Sequence, residues 1–257
     1  MTKQLLLIGV GAGDPDQITI QAIKAMNRVD VFFLIDKGET RRELLDARRD
    51  ICKRHVTDRT FHIVEVADPE RDRNASSYRQ AVDAWHDRRA AVYQQAIDDE
   101  LRDGQIGAFL VWGDPSLYDS TLRIIERLAA DDDARIDYEV IPGITSVQAL
   151  AAKHRIPITS VAGSTVITTG RNLATQAADG IHDTVVVMLD GSCAFLELPE
   201  SDVEIYWGAN LGAEGEALIA GRVTEVGEGI EETRHRVKRE HGWVMDTYVL
   251  RPARPSA

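Results

Sequence analysis

The run Leu5-Leu6-Leu7-Ile8-Gly9-Val10-Gly11-Ala12-Gly13-Asp14-Pro15-Asp16 decides how the rest of the chain is read. Four aliphatic residues in succession, without alternation, describe a strand buried on both faces, as in a parallel sheet. The glycines that follow let the backbone approach a ligand closely. Beyond them, ITIQAIKAMNRV keeps Ile20, Ile23 and Met26 at helical spacing, and such a helix offers its amides to an anion. A dinucleotide fingerprint is the first reading, with Asp36 ending the second strand where a ribose-binding acid would stand. The G-x-G-x-x-G spacing fails, however: Gly9 and Gly11 fit, but position 14 is Asp14. A carboxylate and Pro15 at that mouth would repel a pyrophosphate, whereas a helix N-terminus capped by Asp14 or Asp16 accounts for the acids without any ligand.

Outward from this stretch, strand-like and helix-like runs alternate. Val31–Ile35 and Phe61–Val66 read as the next strands. Residues 76–103 read as one long helix with Tyr78, Val82, Trp85, Val92, Ala96 and Leu101 on its apolar stripe, ended by Gly104. Ile106–Trp112 is a fourth strand, closed by Gly113-Asp114-Pro115. The alternation predicts an α/β fold with a largely parallel sheet. After that turn come a short helix over Leu122–Ala130 and a short strand at Tyr138–Ile141. Then follow β-rich runs at Thr165–Thr169, Thr184–Leu189, Val203–Trp207, Leu218–Val226 and Val244–Leu250. These predict a second, α+β domain. The division is 1–116 and 117–257, with the boundary near 114–121.

Two further segments share the geometry of the first. Trp112-Gly113-Asp114-Pro115-Ser116-Leu117-Tyr118 ends a strand in a turn whose backbone groups face a sheet's carboxyl edge, where α/β proteins bind ligands. Taken alone it reads first as an ordinary type I or II turn. Pro142-Gly143-Ile144-Thr145-Ser146 places hydroxyls at a helix start, where Thr145 or Ser146 can also serve simply as an N-cap.

Composition bounds the function. The 257 residues carry a net charge of −12, which argues against a protein whose main work is gripping nucleic acid. The charge is uneven: residues 37–90 hold 13 basic and 11 acidic groups, including Arg-Arg pairs at 41–42, 48–49 and 88–89, whereas residues 91–257 hold 14 and 27. Mixed charge of this kind is ordinarily a solvated helix face laced with ion pairs; the sharper reading is an anion-receptive region. Cys52 and Cys193, 141 positions apart, make neither a disulfide framework nor a metal knuckle. The seven histidines show no ligand spacing, so no metal is expected. No apolar run approaches the roughly 18 residues of a membrane span, and the N-terminus lacks a signal-peptide pattern. A soluble, cytoplasmic protein is expected, with no membrane partner.

In their order, the three turn segments resemble those of the tetrapyrrole (corrin/porphyrin) methyltransferases. In that family a first strand carries G-x-G-P-G-D with Leu-Thr downstream, a later strand ends in G-G-D-P, and P-G precedes small hydroxyl residues. Here these become Gly9 to Asp14 with Ile18-Thr19, then Trp112-Gly113-Asp114-Pro115, then Pro142-Gly143-Ile144-Thr145-Ser146. IGVGAGDPDQIT, VDVFFLIDKG, ADPERDR, WGDPSLYDSTLRI and IPGITSVQALAA most resemble the members that methylate ring carbon C-1 and release a two-carbon unit as acetate.

The resemblance implies two α/β domains, S-adenosyl-L-methionine held in a cleft between them, S-adenosyl-L-homocysteine as product, and a homodimer. It implies that Trp112, Gly113, Asp114 and Leu117 hold the methionine and ribose part, with Thr145 and Ser146 beside it. Met188 or Leu189 lines the adenine pocket, with Gly208 and Ala209 opposite. Gly11, Ala12, Lys37, Arg41 and Arg42 fall to a carboxylate-rich tetrapyrrole substrate, and Asp14, Asp36 and Tyr118 are the candidates to assist acyl loss. Ala12 stands where the family has proline, and Trp112 where it has the first glycine. Other readings use the same residues: a different ring position, diphthine or ribosomal RNA methylation, a nicotinamide-dependent oxidoreductase, or a non-catalytic nucleotide sensor.

Overall fold

The structure is a computed structural model that describes residues 2–38, 42–69, 78–130, 135–178, 180–198 and 202–253. The chain separates into two compact units, one of residues 1–11 and 15–144, the other of residues 12–14 and 145–257.

The first unit is built on five parallel strands in the order β3-β2-β4-β1-β5. In chain order it contains β1 (Lys3–Gly9), α1 (Ile20–Met26), β2 (Val31–Asp36), α2 (Arg42–His55), β3 (His62–Ala67), α3 (Tyr78–Glu100), β4 (Ile106–Val111), α4 (Thr121–Ala129) and β5 (Ile136–Ile141). Leu5 to Ile8 have no exposed surface, because helices cover both faces of β1. Leu6 and Ile8 pack with Met26 of α1 and Leu45 and Ile51 of α2. Leu5 and Leu7 pack with Tyr93 and Ile97 of α3 and Ile124 of α4. Each of these buried aliphatics contributes about 1.5–3 kcal/mol.

The expected boundary at 116/117 is displaced to 144/145. β5 pairs with β1 from Lys3↔Ile136 to Ile8↔Ile141, so α4 and β5 complete the first sheet. A central strand as apolar as β1 requires a neighbour on each side, and β4 alone supplies only one. The expected cap is also corrected. Asp16 lies in a 3-10 turn over Pro15–Gln17 and pairs with Arg54 at 2.6 Å. The first full helix is capped by Thr19, whose Oγ1 accepts from the Ala22 amide at 3.0 Å.

The second unit is α+β, as expected. It contains α5 (Ser146–His154), β6 (Thr165–Thr169), α6 (Gly170–Gln176), β7 (Thr184–Met188), β8 (Val203–Ala209), β9 (Ala217–Arg222), α7 (Val223–His241) and β10 (Asp246–Pro252). Its mixed sheet runs β6-β7-β10-β8-β9, with only β6 and β7 parallel. The run read as a strand over Leu218–Val226 ends at Arg222, and α7 begins at Val223. The β-branched Val223 and Val226 extend the look of a strand. The true signal is the helical spacing of the buried Gly227, Ile230, Arg234 and Val237. No helix among the described residues is long and apolar enough to cross a membrane.

Candidate functional site

In the first unit, the turns that leave β1, β4 and β5 are knit together at the carboxyl edge of the sheet. The Gly113 amide donates to the Gly11 carbonyl at 2.7 Å, forming a bridge between the two turns. A Cβ on Gly9 would lie 2.6 Å from the Gly143 nitrogen and 2.7 Å from the Gly113 oxygen, so these backbones touch directly. Asp114 clasps the arrangement. One carboxylate oxygen accepts from the Gly143 amide at 2.9 Å, the other from the Ser116 amide at 2.8 Å and the Ser116 hydroxyl at 2.5 Å. Burial pushes this carboxyl up, but these hydrogen bonds outweigh it and hold the group below the usual carboxylate range. Gly113 and Gly11 have φ of 66° and 90°, where a side chain is strained. Thus Gly11, Gly113 and Asp114 are brought together, with Trp112 directly following β4 and the Leu117 amide donating to the Asp114 carbonyl at 3.2 Å.

Asp36 ends β2, accepting from the Gly38 amide at 2.9 Å, with the Arg42 guanidinium at 3.9 Å. Arg42 also faces Asp46 at 4.0 Å and Glu65 at 3.5 Å, so it is engaged within the protein. Arg41 lies outside the described residues. Lys37 reaches solvent, yet the surrounding protein desolvates its ammonium. Together with the charges of Arg48 and Arg89, this pushes its pKa down to about 8, against opposition from Asp68 and Asp119. Tyr118 is exposed in a left-handed backbone conformation, φ 54°. Asp14 belongs to the other unit, so the three acyl-loss candidates are not one cluster within a unit.

Sequence reasoning missed Arg89, which sits on the inner face of α3. Its guanidinium contacts Asp68 at 2.7 Å and the Tyr93 hydroxyl at 2.7 Å, and lies over the Trp85 ring. The available signal was Trp85, Arg89 and Tyr93 at four-residue spacing, an arginine in a helical stripe of aromatics.

In the second unit, Met188 and Gly208 flank Thr247 on adjacent strands, Thr247 pairing with both, and Ala209 stands opposite Asp246. Ser146 Oγ lies 2.9 Å from Thr247 Oγ1, tying the start of α5 to this row. Thr145 caps α5: its hydroxyl accepts from the Val147 and Gln148 amides at 3.2 and 3.4 Å, and its own amide donates to Gln148 Oε1 at 3.0 Å. The cap reading of Thr145 therefore holds. Leu189, beyond the buried part of β7, is 65 % exposed with φ 52°. A Cβ on Gly208 would lie 2.7 Å from the side-chain tips of Leu150 and Leu211, which would have to shift to admit it. Ala12, Gly13 and Asp14 pack here: a Cβ on Gly13 would fall 2.4 Å from the Leu211 oxygen. Thr247 and the exposed Met245 were not singled out from sequence, where they read only as part of a strand.

A buried network holds this row. Arg234 donates to the Asp246 carboxylate at 3.0 Å and to the Asp190 carbonyl at 2.9 Å, and Trp207 Nε1 donates to Asp246 at 3.1 Å. The Asp190 carboxylate accepts from the Tyr248 hydroxyl at 2.7 Å. Asp190, next after Leu189, is thus held directly by the Arg234 guanidinium, and Trp207, next before Gly208, through Asp246. By contrast, a 290 Å³ cavity lined by Gly170, Arg171, Ser192 and Glu197 contains none of the expected residues.

Met188 and the solvent-facing Leu189 supply an apolar face in the second unit, and the close-set glycine turns of the first supply backbone donors and acceptors. A precorrin-6A synthase [deacetylating] of Sinorhizobium sp. is 48% identical over 249 residues, covering 97% of this chain and 95% of its own. A cobalamin-synthesis-related protein (CobF) of Corynebacterium diphtheriae superposes with a TM-score of 0.83 at 38% identity, over 99% of this chain and 100% of that one. The uroporphyrin-III C-methyl transferase of Thermus thermophilus, solved with S-adenyl homocysteine, shares the fold (TM-score 0.58, 17% identity, 96% of this chain and 97% of that one). The family model for the tetrapyrrole (corrin/porphyrin) methylases matches residues 4–227, and the chain belongs to that family.

Proposed function

We propose that this S-adenosylmethionine-dependent methyltransferase acts on precorrin-5, methylating ring carbon C-1 and releasing acetate to give precorrin-6A in cobalamin biosynthesis. The observation that carries the reading is the full-length similarity to the Sinorhizobium precorrin-6A synthase, supported by the knitted glycine turns. When bound, the cofactor supplies an electrophilic methyl group on a sulfonium. The protein's part in such an in-line displacement is alignment and exclusion of water, which requires no metal. The turn at Trp112, Gly113 and Asp114, with Leu117, holds the methionine and ribose end. Met188, Leu189, Gly208 and Ala209 receive the adenine, with Thr145 and Ser146 beside it. Gly11, Ala12 and the cations Lys37, Arg41 and Arg42 meet the substrate. Asp36, Tyr118 and Asp14 are the groups offered to assist acyl loss. The enzyme works as a cytoplasmic homodimer.

Calorimetric titration with S-adenosylhomocysteine, alongside NADH and NADPH, tests the cofactor. Micromolar binding, on the order of −8 kcal/mol, is expected for the first and none for the nicotinamides. Anaerobic assay with precorrin-5 should then release acetate. Nicotinamide binding without S-adenosylhomocysteine binding would overturn the reading.

Lys37 gives a pH dependence. Its ammonium attracts substrate carboxylates only while protonated, and it loses its proton as pH rises through about 8. KM for precorrin-5 should therefore rise between pH 7 and 9 while the affinity for S-adenosylhomocysteine stays level. Lys37→Arg should remove the rise, because a guanidinium keeps its charge across this range. A pH-independent KM in the wild type contradicts this role.

A further inference from the structure

The segment 37–90 is rich in cations, but its described arginines are mostly committed to the protein's own acids. Arg49 meets Glu65, Arg54 meets Asp16, Arg59 meets Asp30, and Arg89 meets Asp68. Arg48 is different. It is 7 % exposed and pairs with no carboxylate among the described residues. Its Nε donates to the Leu110 carbonyl at 3.1 Å and its Nη1 to the Leu44 carbonyl at 3.1 Å. Two bonds to carbonyls leave part of a five-donor fork unbonded, and the charge of Asp119 opposes its burial without a direct ion pair. A buried charge in that condition is expensive, and burial pushes even this guanidinium down to about 10.

The guanidinium stacks on the ring of Trp112, 5.0 Å from its centroid. The indole N–H of Trp112 is itself buried and donates to no group among the described residues. Two neighbouring groups, both donors and one cationic, thus lack an anionic acceptor at the end of β4. Buried donors left unmade in this way are destabilising unless a ligand satisfies them.

We propose that Arg48 and the Trp112 indole N–H together bind one carboxylate of the tetrapyrrole substrate, at the carboxyl edge of the first sheet. The guanidinium fork and the indole N–H donate to the two oxygens, and the anion supplies the direct ion pair that Arg48 lacks among the described residues. The inference rests on the reading of the substrate as a polycarboxylate tetrapyrrole, and it assigns specificity, not chemistry, to the pair.

The test is anaerobic equilibrium binding of precorrin-5 to the S-adenosylhomocysteine complex, measured separately from acetate release. Trp112→Phe keeps the stacked ring and removes only the N–H; Arg48→Lys keeps the charge and removes the fork. Each should weaken precorrin-5 binding roughly tenfold, the loss of one charge-assisted hydrogen bond. The double variant should weaken it by less than the product of the two, since both donors share one carboxylate. S-adenosylhomocysteine affinity should be unchanged in Arg48→Lys, whose residue has no part in the cofactor turn. Wild-type precorrin-5 affinity in the variants, or parallel loss of precorrin-5 and S-adenosylhomocysteine binding in Arg48→Lys, would overturn the subsite. Failure of the wild type to release acetate while the variants still lose precorrin-5 affinity would overturn the named reaction and leave the subsite standing.

Discussion

Gly143→Ala should abolish cofactor binding. The objection to a side chain at this position is steric, not conformational. A Cβ would lie 2.1 Å from the Gly113 oxygen and 2.8 Å from Gly9 Cα, all backbone atoms of neighbouring turns. No rotamer change relieves a backbone contact, so at least one of the turns leaving β1, β4 and β5 must move. Moving Gly143 also breaks its 2.9 Å bond to Asp114, the carboxylate that holds the Gly113 turn in shape. Overpacking of this kind costs about 1–3 kcal/mol in stability. The functional cost is larger, because the displaced backbone is the part proposed to hold the methionine end of the cofactor, and misplacement by an ångström loses about a hundredfold. Calorimetry should show at least a hundredfold loss of S-adenosylhomocysteine affinity, with the far-ultraviolet circular dichroism of the wild type. Affinity within threefold of wild type would show that the turns are not the cofactor's seat.

The second large effect concerns stability. Arg234→Ala removes the one cation from a buried network and leaves Asp246, the Trp207 N–H partnership and the Asp190 carbonyl without it. Breaking a buried ion pair from one side costs about 3–5 kcal/mol, because the surviving charge stays desolvated. Denaturant unfolding of the second unit should lose that much. Burial already pushes the Asp246 carboxyl above its ordinary range, against the pull of Arg234. With Arg234 gone, the folded-state value rises further above the unfolded one. The protonated carboxyl then contributes stability that is fully present below the unfolded value and is lost as pH rises through the folded one. The deficit of the variant should therefore shrink as pH falls, and Asp246→Asn added to Arg234→Ala should recover part of it. A loss below 1 kcal/mol at neutral pH would mean that the network does not carry the fold of this unit.

The sequence by itself determined the fold class, the family and the three turns at 9–14, 112–115 and 142–146, since each depends on local chemistry. An unbroken aliphatic strand implies burial on both faces, and glycine, aspartate and proline at a strand end imply a tight turn. The capping of α5 by Thr145 was legible for the same reason. What required the tertiary structure was everything set by partners distant in the chain. The domain boundary moved because β5, more than 130 positions from β1, is its second sheet neighbour. The helix at 223–241 was hidden because its buried stripe includes Gly227 and Arg234, residues that look apolar-facing only once the network around Asp246 is known. Composition could count the arginines of residues 37–90 but could not sort them. Whether a guanidinium serves its own protein or an incoming anion depends on which carboxylates the fold brings within reach, and only Arg48 and Trp112, meeting across α2 and the end of β4, combine an unpaired buried cation with an unmet buried N–H among the described residues.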